Sequence, residues 1–178
     1  TGAGKSTLIR LLVRLYEPTE GHVRLDGVDV RAMPVEQLRR RIGVVLQDNY
    51  LFAGSIGSNI TLGDPRLDAD AMRRAAEAVG ADTFIARFEQ GYDEPVAERG
   101  SNLAVGEKQL LCFARALAFN PPVLVLDEAT ASVDPATETR LTATVERVMQ
   151  GRTAIVIAHR LATIQNADRV LVLHRGRL

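Results

Sequence analysis

Near its start the chain reads Thr1-Gly2-Ala3-Gly4-Lys5-Ser6-Thr7, and a helical pattern follows at once. Glycines let successive backbone N–H groups curl around phosphate oxygens, and the positive N-terminal end of a helix strengthens the attraction. Lys5 supplies a mobile positive charge, and the neighbouring hydroxyl of Ser6 suits Mg²⁺. The stretch predicts a phosphate-binding loop; a glycine turn beside an incidental lysine is the alternative.

This loop pattern normally opens with a further glycine, so we expect the chain to be a piece of a longer protein, cut at both ends. The residues expected to contact the phosphates are Gly2, Ala3, Gly4, Lys5, Ser6 and Thr7.

Helical periodicity recurs along the chain, beginning with Leu8, Leu11, Leu12 and Leu15 directly after the loop. Five helices are predicted: from the loop to near Pro18, at residues 35–40, 70–79 and 105–119, and after a cap at Asp134 with Pro135 in the first turn. Helical patterns dominate the whole of residues 55–119.

Apolar runs predict strands at residues 42–46, 123–126, 154–157 and 170–173. Alternation around Asp26-Gly27 predicts a hairpin over residues 22–30, at the edge of a sheet. Apolar strands that alternate with helices are typical of a parallel sheet covered on both faces. The expected fold is therefore α/β, with a mainly parallel sheet flanked by helices, an antiparallel β edge and an inserted helical subdomain.

Composition excludes several classes of protein. The 22 basic and 22 acidic residues cancel, so no net field draws the chain toward nucleic acid or an anionic membrane surface. A single cysteine, Cys112, excludes an internal disulfide and fits a reducing compartment. No apolar run approaches the roughly 20 residues of a membrane-spanning helix, so we expect one soluble domain.

A second motif follows the apolar run at residues 123–126, where Asp127 and Glu128 stand side by side. Open α/β sheets bind ligands at the carboxyl ends of their strands. Asp127 is suited to hold Mg²⁺ through its water shell, and Glu128 to polarise a water molecule for attack on a γ-phosphorus. Together the two motifs predict ATP hydrolysis with Mg²⁺; an acidic helix cap is the alternative.

Further landmarks, in order and spacing, resemble ABC transporter nucleotide-binding domains over essentially all 178 residues. Gln47 ends its strand like the Q-loop glutamine, which contacts magnesium and the attacking water. His159 resembles the switch histidine that contacts the γ-phosphate, and Asp134 belongs to a stretch that resembles the D-loop. The alternatives are a solvated amide, a structural histidine and a plain helix cap. The other histidines, His22 and His174, are expected at the surface.

The signature of this family, usually LSGGQ, caps the γ-phosphate bound to the opposing subunit. Here the corresponding stretch, residues 102–109, departs from it: Ala104 replaces a serine, Val105 a glycine and Glu107 a glutamine, while Gly106 keeps the pattern. The serine hydroxyl that would donate to phosphate is therefore missing.

The resemblance implies a P-loop NTPase with a RecA-like core at residues 1–50 and 120–178 and a helical subdomain at 51–119. It implies an ATPase in which two such domains face head to tail around two ATP molecules. Residues 98–100, Glu-Arg-Gly, and residues 50–56 resemble exporter-type members, so transmembrane domains are expected as partners, at the cytoplasmic face of the membrane, with the full-length protein integral to it.

Because the loop and acidic motifs are intact and the signature is not, a heterodimeric exporter is the preferred hypothesis. A homodimer that tolerates Ala104 remains the alternative. Two other classes of protein are alternatives: an ABC-type ATPase of DNA repair or translation, and a regulatory module without turnover. Glu128 argues against the latter, and the spacing from Gln47 to Asn102 leaves no room for a coiled-coil insertion.

Overall fold

The computed structural model describes residues 3–46, 48–127, 135–157 and 167–177. The helices within these ranges are α1 Lys5–Leu12, α2 Val35–Arg40, α3 Ile56–Thr61, α4 Ala69–Val79, α5 Asp82–Ile85, α6 Val105–Leu117 and α7 Pro135–Met149. The strands are β1 Arg24–Leu25, β2 Val28–Asp29, β3 Ile42–Val45, β4 Gly54–Ser55, β5 Pro95–Val96, β6 Val123–Asp127 and β7 Thr153–Ile157. None of the described helices has the length and apolarity to cross a bilayer.

A three-stranded parallel sheet, in the order β3-β6-β7, forms the centre of the described fold. Its register pairs Ile42 with Val123 on one side of β6 and Asp127 with Ile157 on the other. Parallel strands need helical crossovers, which is why helices separate these strands along the chain. The prediction of parallel apolar strands at residues 42–46, 123–126 and 154–157 is confirmed.

Strand β6 is buried on both faces, and its side chains alternate between two apolar clusters. Val123 and Val125 pack with α1 and α2 on one face, whereas Leu124 and Leu126 pack with α6 and α7 on the other. Successive side chains of a strand point to opposite faces, so a continuous apolar run is what a doubly covered strand requires. Four residues of β6 thus anchor both layers of helices.

The predicted hairpin forms, and its two strands are joined by a turn at Asp26 and Gly27. Asp26 and Gly27 both have positive φ values, 50° and 81°, as a two-residue type I′ turn requires. Beyond the turn, Asp29 accepts hydrogen bonds from Arg31 and contacts His22, and the hydrogen bond from Arg31 lowers the pKa of the Asp29 carboxyl. This pair of strands forms a sheet of its own.

The helical character of residues 55–119 is confirmed, with one addition. Four helices lie there, and α4 begins where the side chain of Asp68 accepts a hydrogen bond from the N–H of Ala71 at 2.7 Å. Sequence analysis missed the short antiparallel pair β4–β5, in which Gly54 opposes Val96. Two-residue strands leave no alternation pattern to detect, so only tertiary pairing reveals them.

The first helix is shorter than its leucine spacing predicts. It ends at Leu12, and Arg14 turns the chain with φ 53°. Ile9 and Val13 face the core, whereas Leu8 and Leu15 are 48% and 59% exposed. The prediction of a helix running to near Pro18 is therefore wrong: the helix ends at Leu12, and Ile9 and Val13, rather than Leu8 and Leu15, are the buried residues that pack with the sheet.

The predicted strand at residues 170–173 is also not formed. Val170, Leu171 and Val172 are 56%, 68% and 74% exposed, and only an isolated bridge joins His174 to Arg177 nearby. A strand exists only when a neighbour pairs with its backbone, and no described strand runs beside this segment. High β-propensity alone does not create a sheet edge.

Gly43, in the middle of β3, allows the sheet to approach α6 closely. A methyl group placed there would collide with the carbonyl oxygen of Ala116 and lie 2.9 Å from atoms of Leu124 and Pro121. We expect Gly43→Ala to reduce the free energy of unfolding of the chain by about 1–3 kcal/mol, because backbone atoms would have to move. Urea unfolding followed by circular dichroism measures this change.

Gly57 provides the control, since a methyl group there would lie 2.9 Å from the flexible thioether of Met72 and 3.2 Å from the carbonyl oxygen of Tyr92, a milder clash with backbone than the one at Gly43. In helix α3 the change Gly57→Ala also gains up to about 1 kcal/mol of helix propensity, so its net effect should be small. Equal losses in the two variants would contradict the packing argument.

Candidate functional site

The phosphate-binding loop leads into α1 with an open helix N-terminus. Gly4 occupies the cap position in the left-handed region, with φ 99°, and no side chain caps the helix. The first turn holds no acidic residue, and the side chains of Ser6 and Thr7 are exposed. By contrast, Asp68 fills the equivalent position of α4. The first N–H groups of α1 are therefore not capped by a side chain and suit an anion.

The segment at residues 173–176 braces this loop from the other end of the chain. The N–H of Gly176 donates to the carbonyl oxygen of Ala3 at 3.0 Å, and a methyl group on Gly4 would lie 3.5 Å from Cα of Gly176 and 3.7 Å from Leu173. Sequence analysis missed this contact because no local pattern connects residues so far apart. His174 and His22 are at the surface, as predicted.

The helix of the loop packs on the strands that carry the acidic motif. Ile9 of α1 and Val13, which directly follows that helix, share one apolar cluster with Val125 and Ile157. Asp127 ends β6 half-buried, in register with Ile157. Since the three strands are parallel, their carboxyl ends lie at one edge of the sheet. The structure thus brings together the two elements that bear Lys5 and Asp127.

Several predicted site residues lie outside the described residues: Gly2, Gln47, Glu128, Asp134 and His159. In the chain, Gln47, Glu128 and His159 each follow within two residues of the last residue of β3, β6 or β7. Their roles stay predictions.

The described residues fit Mg²⁺ bound together with a nucleotide rather than a self-sufficient metal site. Among them no group of three or more His, Cys, Asp and Glu side chains could hold an ion. Mg²⁺ usually keeps several waters and takes only one or two protein ligands beside the phosphates of its substrate. An exposed hydroxyl at Ser6 and a carboxylate at Asp127 match that requirement.

The signature segment begins helix α6 with an incomplete cap. Ala104 occupies the cap position and has no oxygen to offer the first-turn N–H groups. Glu107 reaches back instead: its Oε2 accepts from the N–H of Ala104 at 3.0 Å, and its Oε1 accepts from Arg87 at 3.2 Å. This is half of a capping box, in which serine would return the second hydrogen bond. Val105 is 50% exposed beside it.

A tight turn fixes the entry to this segment. The side chain of Asn102 accepts from the N–H of Ala97 at 2.9 Å and donates to the carbonyl oxygen of Pro95 at 2.8 Å. Within the turn, Gly100 has φ 61° and lies so close to Leu51 that a methyl group would come within 2.9 Å of it. The turn at residues 98–100 therefore rests on the segment that carries the exposed aromatic residues Tyr50 and Phe52.

A glycine loop that opens a helix packed on a parallel sheet, with a central strand that ends in aspartate, is typical of the class of P-loop NTPases. Comparison with known proteins narrows this class. The ABC transporter family profile matches residues 1–131. The chain is 48% identical over 178 residues to the probable multidrug resistance ABC transporter ATP-binding/permease protein YheH of Bacillus subtilis. It is 50% identical to the β-(1→2)glucan export ATP-binding/permease protein NdvA of Bradyrhizobium diazoefficiens, also over 178 residues.

Among solved structures, a bacterial Atm1-family ABC exporter with ATP bound superposes with a TM-score of 0.88 and 46% identity. The superposition includes all of the present chain but only 31% of the exporter chain. The chain thus belongs to the ABC transporter family. All of its length aligns with YheH and NdvA, but it spans only 26% and 29% of their own lengths.

Restoring a hydroxyl at the cap of α6 should stabilise the domain. We expect Ala104→Ser to raise the free energy of unfolding by about 0.5–2 kcal/mol, because a serine oxygen accepts from the first-turn N–H groups. Urea unfolding of the chain measures the difference. Glu107→Ala should have the opposite sign and a size of about 1 kcal/mol, since it removes the remaining capping bond.

The matched control is Ala69→Ser at the first residue of α4, an exposed position behind a cap that Asp68 already fills. Its effect should stay within about 0.5 kcal/mol. A gain at residue 69 as large as that at residue 104 would show that serine acts through general helix propensity instead.

Proposed function

We propose that this chain binds ATP and hydrolyses it to ADP and phosphate, and that the reaction drives export across a membrane by an ABC transporter. The observation that carries the proposal is the uncapped N-terminus of α1 at Gly4-Lys5, on a helix that packs against the strand ending in Asp127. Similarity to exporter ATP-binding/permease proteins along the whole chain supports the same conclusion.

The phosphates are held by the loop and the first turn of α1. Backbone N–H groups of residues 2–7 surround the phosphate oxygens, and the ammonium group of Lys5 binds the outer phosphates. Ser6, Asp127 and Gln47 hold Mg²⁺, directly or through water. When bound, Mg²⁺ would neutralise negative charge on the phosphates.

Hydrolysis is assigned to the residues that follow the strands. Glu128 accepts a proton from the attacking water and orients it toward the γ-phosphorus. His159 donates a hydrogen bond to the γ-phosphate, and Gln47 helps to orient the water. These side chains follow the ends of adjacent parallel strands, which is where open α/β sheets assemble their sites.

A complete site requires a second nucleotide-binding domain. The loop of one domain and the signature of the other enclose each ATP, with Asp134 at the seam between them. On this chain residues 104–107 would meet the γ-phosphate bound to the partner through the open first turn of α6. Without the serine hydroxyl, the binding free energy of that contact is weaker by about 1.5–3 kcal/mol, which is the contribution of a hydrogen bond to a charged group.

We further propose that the second domain belongs to a different chain. A partner with an intact signature would complete the site that contains this chain's loop and Glu128. The weakened signature of this chain would serve the other site, where the partner can lack the carboxylate or the histidine. A homodimer would carry Ala104 at both sites instead.

Membrane domains are the remaining partners, joined to this domain in the same polypeptide as in the fused ATP-binding/permease relatives. The exposed aromatic residues Tyr50 and Phe52, beside the turn at residues 98–100, offer the surface for their intracellular loops. In this proposal the domain lies at the cytoplasmic face of the membrane. Residues 51–119 form the helical subdomain, and residues 1–50 and 120–178 form the core.

Turnover should depend on one carboxylate. In the purified full-length protein we expect Glu128→Gln to lower phosphate release by about 100-fold or more while MgATP binding persists, because the amide cannot take the proton of the attacking water. Phosphate release and fluorescent-nucleotide binding measure the two steps. Glu36→Gln, at an exposed position on α2, is the matched control and should retain wild-type rates. Equal rates for Glu128→Gln and wild type would refute the ATPase proposal.

The subunit composition can be tested separately. When the full-length protein is purified from its native membrane through a tag on this chain, we expect a second, different ABC chain in a 1:1 ratio by mass spectrometry. That partner should have a serine where this chain has Ala104. Recovery of two copies of this chain, with both sites equally active, would contradict the heterodimer.

A further inference from the structure

Arg115, near the end of α6, connects the signature helix to a distant part of the chain. Its Nε donates to the carbonyl oxygen of Asn59 at 2.7 Å, and its Nη1 donates to the carbonyl oxygen of Tyr50 at 2.8 Å. Its Nη2 donates to Oδ1 of Asn59 at 2.9 Å. A planar guanidinium with three fixed acceptors holds these segments in one geometry.

The same guanidinium also contacts the exposed aromatic pair. Its Cζ lies 5.6 Å from the ring centroid of Phe52, within the range of a cation–π contact. Phe52 and Tyr50 meet edge to face, with centroids 5.1 Å apart, and they are 53% and 44% exposed. Arg115 therefore supports this surface from inside the domain.

Asn59 makes the connection rigid. It is only 1% exposed, its Oδ1 accepts from the N–H of Phe52 at 2.9 Å, and its Nδ2 donates to the carbonyl oxygen of Phe52 at 2.8 Å. Both backbone groups of Phe52 are thus held by a side chain that Arg115 also binds. Movement of the segment at residues 50–59 relative to α6 would break the three hydrogen bonds that Arg115 donates to it.

No carboxylate of the described residues forms a salt bridge with Arg115. Burial lowers the pKa of its guanidinium, so the neutral oxygens compensate only part of the lost hydration. A half-buried charge held by uncharged acceptors is a poor source of stability. What the arrangement supplies is a defined geometry between α6 and the segment at residues 50–59.

A second connection joins the same two parts. The N–H of Arg99 donates to the carbonyl oxygen of Leu51 at 3.1 Å, and the N–H of Leu103 donates to that of Gly100 at 2.9 Å. The chain then enters the signature at Ala104. The segment at residues 50–52 is therefore connected to helix α6 at two points. One is the turn that leads into the signature at the start of the helix, and the other is Arg115, about 15 Å further along it.

We propose that Arg115 is a positioning residue that makes the Tyr50–Phe52 surface and the signature segment at residues 104–107 move as one body. The inference rests on the proposed function, because it concerns how a displacement at the membrane-facing surface reaches the partner's ATP. Arg115 touches no nucleotide in this scheme; it determines where the first turn of α6 lies when the two domains close.

The test is steady-state ATP hydrolysis by the purified full-length protein carrying Arg115→Lys. Lysine keeps the charge but cannot reach three acceptors at once. We expect kcat to fall about tenfold, since a misplacement of about 1 Å in a closed site costs up to roughly 100-fold. The KM for MgATP should change less than about twofold, because the loop at α1 is untouched.

Arg152 supplies the matched control. Its guanidinium likewise donates three hydrogen bonds to uncharged oxygens: Pro121 at 3.1 Å, Val148 at 2.6 Å and Asn120 at 2.6 Å. It joins the end of α7 to the loop between α6 and β6, at the opposite end of α6 from the signature segment at residues 104–107. Arg152→Lys should lower the melting temperature as much as Arg115→Lys does but leave kcat within about twofold.

A second pair of variants keeps the test decisive if Arg115→Lys does not fold. Phe52→Leu removes the ring over Arg115, whereas Phe119→Leu removes the ring that Arg40 approaches at 5.5 Å. Only Phe52→Leu should lower kcat, by about threefold to tenfold.

Equal kcat losses in Arg115→Lys and Arg152→Lys, or unchanged kcat in Arg115→Lys and Phe52→Leu, would overturn the positioning role while leaving the ATPase intact. A wild-type protein without turnover would instead refute the proposed function, and this inference with it.

Discussion

Burial of β6 on both faces is the constraint on which the described fold depends. Val125 is fully buried on one side and Leu124 and Leu126 are almost fully buried on the other, and parallel neighbours pair with both edges of the strand. Such a strand can carry polar side chains only where it ends. Asp127 therefore stands at the carboxyl edge of the sheet, and the helix that follows the phosphate-binding loop packs against the same strand. Core packing and the position of the acidic motif have the same cause.

Helices α1 and α6 differ in how the N–H groups of their first turns are capped. Helix α1 uses a glycine in the left-handed region and offers its N–H groups without competition from a capping side chain. Helix α6 lacks a hydroxyl at Ala104 and relies on Glu107, whose carboxylate binds back to its own backbone and to Arg87. A missing donor and a nearby negative charge both weaken attraction for phosphate. The asymmetry between the two ends of one domain is the physical basis of the heterodimer proposal.

Arg115 connects the helix that begins at the signature to a distant segment of the chain. Its hydrogen bonds go to backbone and amide oxygens of a segment more than 50 positions earlier in the chain, and they connect the exposed aromatic pair to the signature helix. The turn at residues 98–100 connects the same parts through the backbone. The proposed coupling between closure around ATP and movement at a membrane requires such stiffness, since a soft connection would absorb the displacement.

The sequence by itself determined several local features of the fold and of the site. The glycine-lysine-serine loop, the apolar runs that became β3, β6 and β7, the turn at Asp26-Gly27 and the family resemblance are all readable without coordinates, because each depends on residues close in sequence. The tertiary structure decided the rest: which residues of α1 face the sheet, that no described strand pairs with residues 170–173, and that Asn59, Arg115 and Gly176 contact residues far along the chain. Those outcomes depend on which surfaces meet, and a contact between distant residues leaves no periodic signal in a single sequence.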